Sequence, residues 1–103
     1  MSRRPLTSAE IQVALVALPG WAFERDALAK EYRFENFRDA LAFMMRVGLV
    51  AEELDHHPEW TNIYDRVAVR LNTHAAGGKV TAKDVELAQR IEEIACASGG
   101  ARH

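Results

Sequence analysis

Cysteine is almost absent from this 103-residue chain. The single Cys96 leaves no internal disulfide framework and no cysteine-rich zinc site, and it suits a reducing compartment, so the cytoplasm is the expected location. Excess basic charge is missing too. Thirteen Lys and Arg stand against 15 Asp and Glu, a net charge of −2, which gives no concentrated positive surface for a nucleic-acid backbone. Direct binding of DNA or RNA is therefore not expected. The longest apolar stretch, Ala40 to Ala51, is broken by Arg46 and falls short of the ~20 residues that cross a bilayer, so no membrane span is expected. Met1 to Arg4 is basic, but Glu10 and Gln12 punctuate the stretch that follows and no small-residue cleavage pattern succeeds it, so no signal peptide is expected. A glycine-rich phosphate loop is also lacking. Gly77-Gly78 is only a dipeptide and Lys79 follows it without Walker spacing, which removes the main support for nucleotide hydrolysis.

What is present is an ordinary globular composition, 49% hydrophobic and 27% charged, without repeats or a linker-like segment. One domain over residues 1–103 is expected, ordered from about 6 to about 97. Thr7 or Ser8 caps a first helix carrying Ile11, Leu15 and Leu18 at helical spacing, and Pro19-Gly20 stops it. From Trp21 to Phe34 the pattern alternates around a turn at Asp26 and predicts two short antiparallel strands. Asn36 then caps a long amphipathic helix in which Phe37, Leu41, Met44, Val47, Ala51 and Leu54 recur every three or four residues. Pro58 lacks an amide hydrogen and disfavours helical backbone at His57, so this helix should end near His56.

Trp60, Ile63 and Tyr64 predict a third strand, and Val67, Val69 and Leu71 a fourth. His74 shares the parity of Arg70 and Asn72, which puts it at a strand end on the less apolar face. After Gly77-Gly78, Thr81 caps a third helix with Asp84 at its third position, and Val85, Ala88, Ile91, Ile94 and Ala95 form its apolar stripe. Cys96 falls inside that pattern and reads as a small buried hydrophobe, and the tail from Ser98 to His103 reads as frayed. The expected fold is α+β: a four-stranded antiparallel sheet with three helices packed on one face, in the order α-β-β-α-β-β-α.

The chemistry sits with histidine. His56 and His57 mark a helix exit and His74 a strand end, while His103 is terminal. Imidazole titrates near neutrality, so clustered histidines supply both a proton donor and a proton acceptor, the requirement for eliminating water from a small molecule. Glu52, four residues before His56, lies one helical turn back and is able to orient an imidazole. The bland alternative is a His-His-Pro segment that merely ends a helix, its rings solvated or stacked on Trp60. Metal ligation is disfavoured, because adjacent side chains at an extended joint diverge and no histidine pair stands four apart on a helix. Phe43 and Met44-Met45 read as core or subunit contact, and Trp21 and Trp60 as packing rather than ligand platforms.

The run Ala51-Glu-Glu-Leu-Asp-His-His-Pro-Glu-Trp60, followed by Tyr64, Thr73-His74, Gly77-Gly78 and Asp84, resembles the pterin-4a-carbinolamine dehydratase (4a-hydroxytetrahydrobiopterin dehydratase) family. The motif is an acidic residue, three residues, His-His-Pro, five residues, an aromatic, nine residues, a histidine and a downstream Asp. Glu52, His56, His57, Pro58, Tyr64, His74 and Asp84 fill every place, and the resemblance covers about Leu6 to Ala95. Ala75 departs from it, standing where the family often has an acidic residue.

The resemblance implies the same α+β fold and a hydro-lyase that eliminates water from a 4a-hydroxytetrahydropterin in tetrahydrobiopterin recycling. It implies no cofactor and no metal. It further implies His56, His57, His74 and Glu52 as catalytic residues, with His56 and His74 as the proton-transfer pair and His57 on the pterin. Asp55, His56, His57, Asn72, Thr73, His74 and Ala75 are implied as the substrate-binding lining. Partners implied are the pterin and further copies of the chain, a tetramer before a dimer. A protein-interaction module serving as dimerisation cofactor of a transcription factor, and a role in another pterin pathway such as molybdopterin metabolism, are the alternatives.

Overall fold

In the computed structural model, which describes residues 4–98, the elements follow the expected order. They are α1 (Ser8–Val16), β1 (Ala22–Glu24), β2 (Ala27–Arg33), α2 (Phe37–Leu54), β3 (Glu59–Ile63), β4 (Arg66–Leu71), a one-turn 3-10 segment (His74–Ala76) and α3 (Ala82–Ser98). The four strands form one antiparallel sheet in the spatial order β1-β2-β4-β3. The register pairs Leu28 with Leu71, Lys30 with Val69 and Tyr32 with Val67, and all six are buried on the helix-covered face. Their neighbours Glu31, Arg33 and Ala68 point to the open face, as the period of two requires.

Helix starts are set by side-chain caps. Thr7 Oγ1 accepts from the Glu10 amide at 3.2 Å while the Thr7 amide donates to Glu10 Oε1 at 2.8 Å, a complete capping box. Asn36 accepts from the Asp39 amide at 2.8 Å at the start of α2. The core joins Phe43, Val47 and Ala51 of α2 and Leu87, Ala88 and Ile91 of α3 to the inner face of the sheet, with Ile11 contributed by α1.

Several expectations need correction. Helix α1 stops at Val16, and Leu18 is buried from the loop beyond it. The covered stripe of α2 is Ala40, Phe43, Val47 and Ala51, whereas Phe37 and Leu41 face outward. This helix is apolar on more than one side, so spacing alone could not choose which row meets the sheet. Tyr64 is not a strand residue: at φ 51 it occupies the β3–β4 turn and is exposed. Cys96 is exposed, one position past the buried Ala95. Ser98 is still helical, and the rest of the expected tail lies outside the described residues.

One charged cluster is built into the core. Lys30, with its side chain 2% exposed, donates to Glu92 Oε1 at 2.5 Å and to the Pro19 carbonyl at 2.6 Å. Trp21 Nε1 reaches the same carboxylate oxygen at 3.1 Å, and the Tyr32 hydroxyl donates to it as well. Burial alone would raise the Glu92 carboxyl, but the bonds from Lys30 and Tyr32 outweigh it and hold the group below its ordinary value. Burial and the Glu92 carboxylate push the Tyr32 phenol far up. Gly20, at φ 82, closes over this cluster: a Cβ there would lie 2.9 Å from Lys30 Cε.

Candidate active site

The site is assembled where α2 ends, β4 ends and α3 begins. Asp55 caps α2 in left-handed backbone, φ 51 and ψ 44, and the amides of Asp55 and His56 return to Glu52 O at 3.2 Å and Ala51 O at 3.0 Å. This is a Schellman-type closure, and it reverses the chain at the two histidines. His56 consequently turns inward and is 8% exposed, while His57 stays in solvent.

His56 meets α3. Its Nε2 lies 2.5 Å from Asp84 Oδ1, and Asp84 is fully buried. The other oxygen, Asp84 Oδ2, accepts from Thr73 Oγ1 at 2.8 Å and from the Thr81 amide at 2.9 Å. Thr81 Oγ1 accepts from the Lys83 amide at 3.2 Å and contacts Thr73 Oγ1 at 2.7 Å. Asp84 therefore closes the cap of α3, as its spacing from Thr81 predicts, and with its second oxygen holds the imidazole of His56, just past the end of α2. Among the described residues no buried side-chain polar atom is without a hydrogen-bond partner.

His74 arrives by a different route from the one its parity suggests. The strand ends at Leu71, and His74 opens the 3-10 turn rather than extending β4. Thr73 anchors that turn: its amide donates to Lys79 O at 2.9 Å, and its carbonyl accepts from the Ala76 and Gly78 amides at 2.9 and 3.1 Å. Gly77, at φ 75, supplies the left-handed residue that ends the turn.

These segments enclose an open concavity of about 280 Å³ lined by Asp55, His56, His57, Asn72, Thr73, His74, Ala75 and Lys83. All seven residues expected to contact substrate lie on it. Glu52 stands behind the lining. Its carboxylate is 2.8 Å from His57 Nε2, five residues on, and it does not reach His56, because the reversal at Asp55 carries His56 to the other side. Both members of the Glu52–His57 pair are solvent-exposed, so the contact orients more than it stabilises. Trp21, Trp60 and Tyr64 do not line the concavity.

The sequence left one contributor unmarked and the bonding of another unread. Lys83 brings a cation to the rim, and no pattern in the chain distinguished it from a solvated helix residue. Asp84 was legible as a helix cap and as a place in the motif, but its bond to His56 spans 28 positions and needs the fold. Among the described residues no three His, Cys, Asp or Glu side chains group as a metal site would.

Chemically, the concavity offers three imidazoles, one of them paired with a buried carboxylate, and one ammonium beside a depression open to small molecules. That set can move protons to and from a bound heterocycle. The chain is similar to known proteins over most of its length. A protein of Opitutus terrae assigned as a pterin-4-alpha-carbinolamine dehydratase is 66% identical over 89 residues, 86% of this chain and 92% of its own. One of Bordetella avium with the same assignment is 50% identical over 101 residues, covering 96% of this chain and 92% of its own. A crystal structure from Brucella melitensis, described as a transcriptional coactivator/pterin dehydratase, superposes with a TM-score of 0.84 at 41% identity, over 88% of this chain and 98% of that one. Residues 4–94 match the sequence pattern of the family described as Pterin 4 alpha carbinolamine dehydratase. With the match running almost from end to end and spanning the segments that line the concavity, the chain belongs to that family.

Proposed function

We propose that this protein is a hydro-lyase that eliminates water from a 4a-hydroxytetrahydropterin to give the quinonoid dihydropterin, in the recycling of tetrahydrobiopterin. The observation that carries the reading is the convergence of His56, His57 and His74, from two distant chain segments, on one concavity.

The step needs two proton transfers and no net oxidation. As the C4a–O bond breaks, the N5 lone pair forms the C4a=N5 double bond, an acid protonates the departing oxygen to water, and a base takes the N5 proton. His56 and His74 form the proton-transfer pair. His56 is held by Asp84 through a buried bond between Nε2 and Oδ1, while His74 stands exposed on its 3-10 turn. His57, oriented by Glu52, binds the pterin, and Asp55, Asn72, Thr73 and Ala75 complete the wall. Lys83 adds a donor for the polar edge of the ring.

The working unit is a homo-oligomer, a tetramer in preference to a dimer. Phe37, Leu41, Met45 and Leu49 stand four apart along the outer face of α2, all exposed, in a row that a further copy would cover. No described helix is long and apolar enough to cross a membrane, and the free cysteine suits the cytoplasm.

The test is stopped-flow dehydration of carbinolamine generated in situ. His74→Ala and His56→Ala are each expected to lose about 10²–10⁴-fold in turnover with the fold retained. A His74→Ala protein that dehydrates the carbinolamine at the wild-type rate would refute the assignment.

A further inference from the structure

Two donors already occupy Asp84 Oδ2, and counting hydrogens around it gives every bond in the cluster a direction. An ionised carboxylate only accepts, and a threonine hydroxyl has one hydrogen to give. Thr73 therefore spends its hydrogen on Asp84 Oδ2, and in the 2.7 Å contact between the two threonines it is Thr81 that donates. Thr81 Oγ1 in turn accepts from the Lys83 amide. The bonds run one way, from the first turn of α3 through Thr81 and Thr73 into Asp84. Thr73, Thr81 and Asp84 are all buried, so water does not compete for these bonds. With one oxygen filled from two sides, Asp84 Oδ1 is left for His56, whose Nε2 must carry the hydrogen. The ring then presents Nδ1 as its free nitrogen.

We propose that Thr73 is a positioning residue serving both histidines of the proton-transfer pair: its hydroxyl pins Asp84 and so selects the Nε2–H tautomer of His56, while its backbone holds the turn that bears His74. The proposal rests on the dehydratase reading for its kinetic consequence, but the tautomer is a property of the free protein. A Thr73→Val variant keeps the shape and removes the hydroxyl. Asp84 then loses one of its two fixed donors and its carboxylate is free to turn, which loosens the bond to His56.

The experiment pairs ¹⁵N NMR of the His56 ring with dehydration kinetics in wild type, Thr73→Val and Thr73→Ser. Wild type and Thr73→Ser are expected to show His56 held as Nε2–H, and Thr73→Val a mixture of tautomers. In the kinetics, Thr73→Val is expected to lose about tenfold in kcat with KM little changed, the scale of one buried hydrogen bond, and Thr73→Ser to recover most of it. Should the valine variant fail to fold, Thr73→Ala gives the same two readings. A hydroxyl-free variant that folds and keeps both the wild-type tautomer and the wild-type kcat overturns the proposal. Absence of dehydration in wild type, with the tautomer shift intact, would instead refute the dehydratase reading and leave the hydrogen-bond assignment standing.

Discussion

A single oxygen, Glu92 Oε1, gathers Lys30, Tyr32 and Trp21 in the core. Replacing it as Glu92→Gln leaves the buried Lys30 ammonium without a counter-charge, and a loss of about 3 kcal/mol is expected in urea unfolding near neutral pH. The pH dependence follows from the direction of the shift. The Glu92 carboxyl is held low in the folded state, so its contribution is complete above the unfolded carboxyl's value, about pH 4, and disappears as pH falls through the lower folded value. Unfolding curves of wild type and Glu92→Gln should therefore converge on acidification. At the site, Asp84→Asn keeps the volume but gives His56 an amide in place of a carboxylate. Turnover is expected to fall by at least about 10²-fold, because the ring loses the carboxylate acceptor that fixes its orientation.

At the scale of elements, α2 does two jobs with opposite ends. Its middle supplies Phe43, whose ring centroid lies 4.8 Å from Phe34 and 5.0 Å from Tyr32, and Phe43→Ala should cost about 3–5 kcal/mol in a thermal or chemical melt. Its C-terminus supplies the left-handed cap, Asp55, that turns the chain into His56 and His57. Much of this was legible in the chain: Pro58 set the helix end, the Thr81–Asp84 spacing set the start of α3, and the alternation of Val67, Val69 and Leu71 set the inward face of β4. The failures have a common cause. Tyr64, His74 and the outward position of Leu41 depend on how the chain leaves a strand or on which apolar row finds a partner, and neither is encoded in local periodicity.

At the scale of the whole molecule, the described residues leave one sheet face and one helix row uncovered. The sheet ends at β1 on one side and β3 on the other, and the row of Phe37, Leu41, Met45 and Leu49 runs beside a shallow apolar groove of about 310 Å³ that includes Trp60. For the proposed tetramer, introducing a charge there as Leu49→Glu is expected to leave about two chains where light scattering of wild type gives about four, as a carboxylate cannot be buried unpaired between copies. Circular dichroism should be unchanged, since Leu49 is exposed within the protomer.

The amino-acid sequence by itself determined the element order, the α+β class, the three helix N-caps and the set of histidines, because each is written in residues a few positions apart: a proline, a cap, a period of two or of three to four. Only the tertiary structure decided that Asp84 holds His56, that Glu52 serves His57 instead, and that Lys83 reaches the same rim. Those pairings join residues whose approach depends on a helix packing across a sheet at one angle. The physical reason is that a hydrogen bond is selected by distance and direction in space, and local pattern sets neither until the core has fixed where the ends of the elements meet.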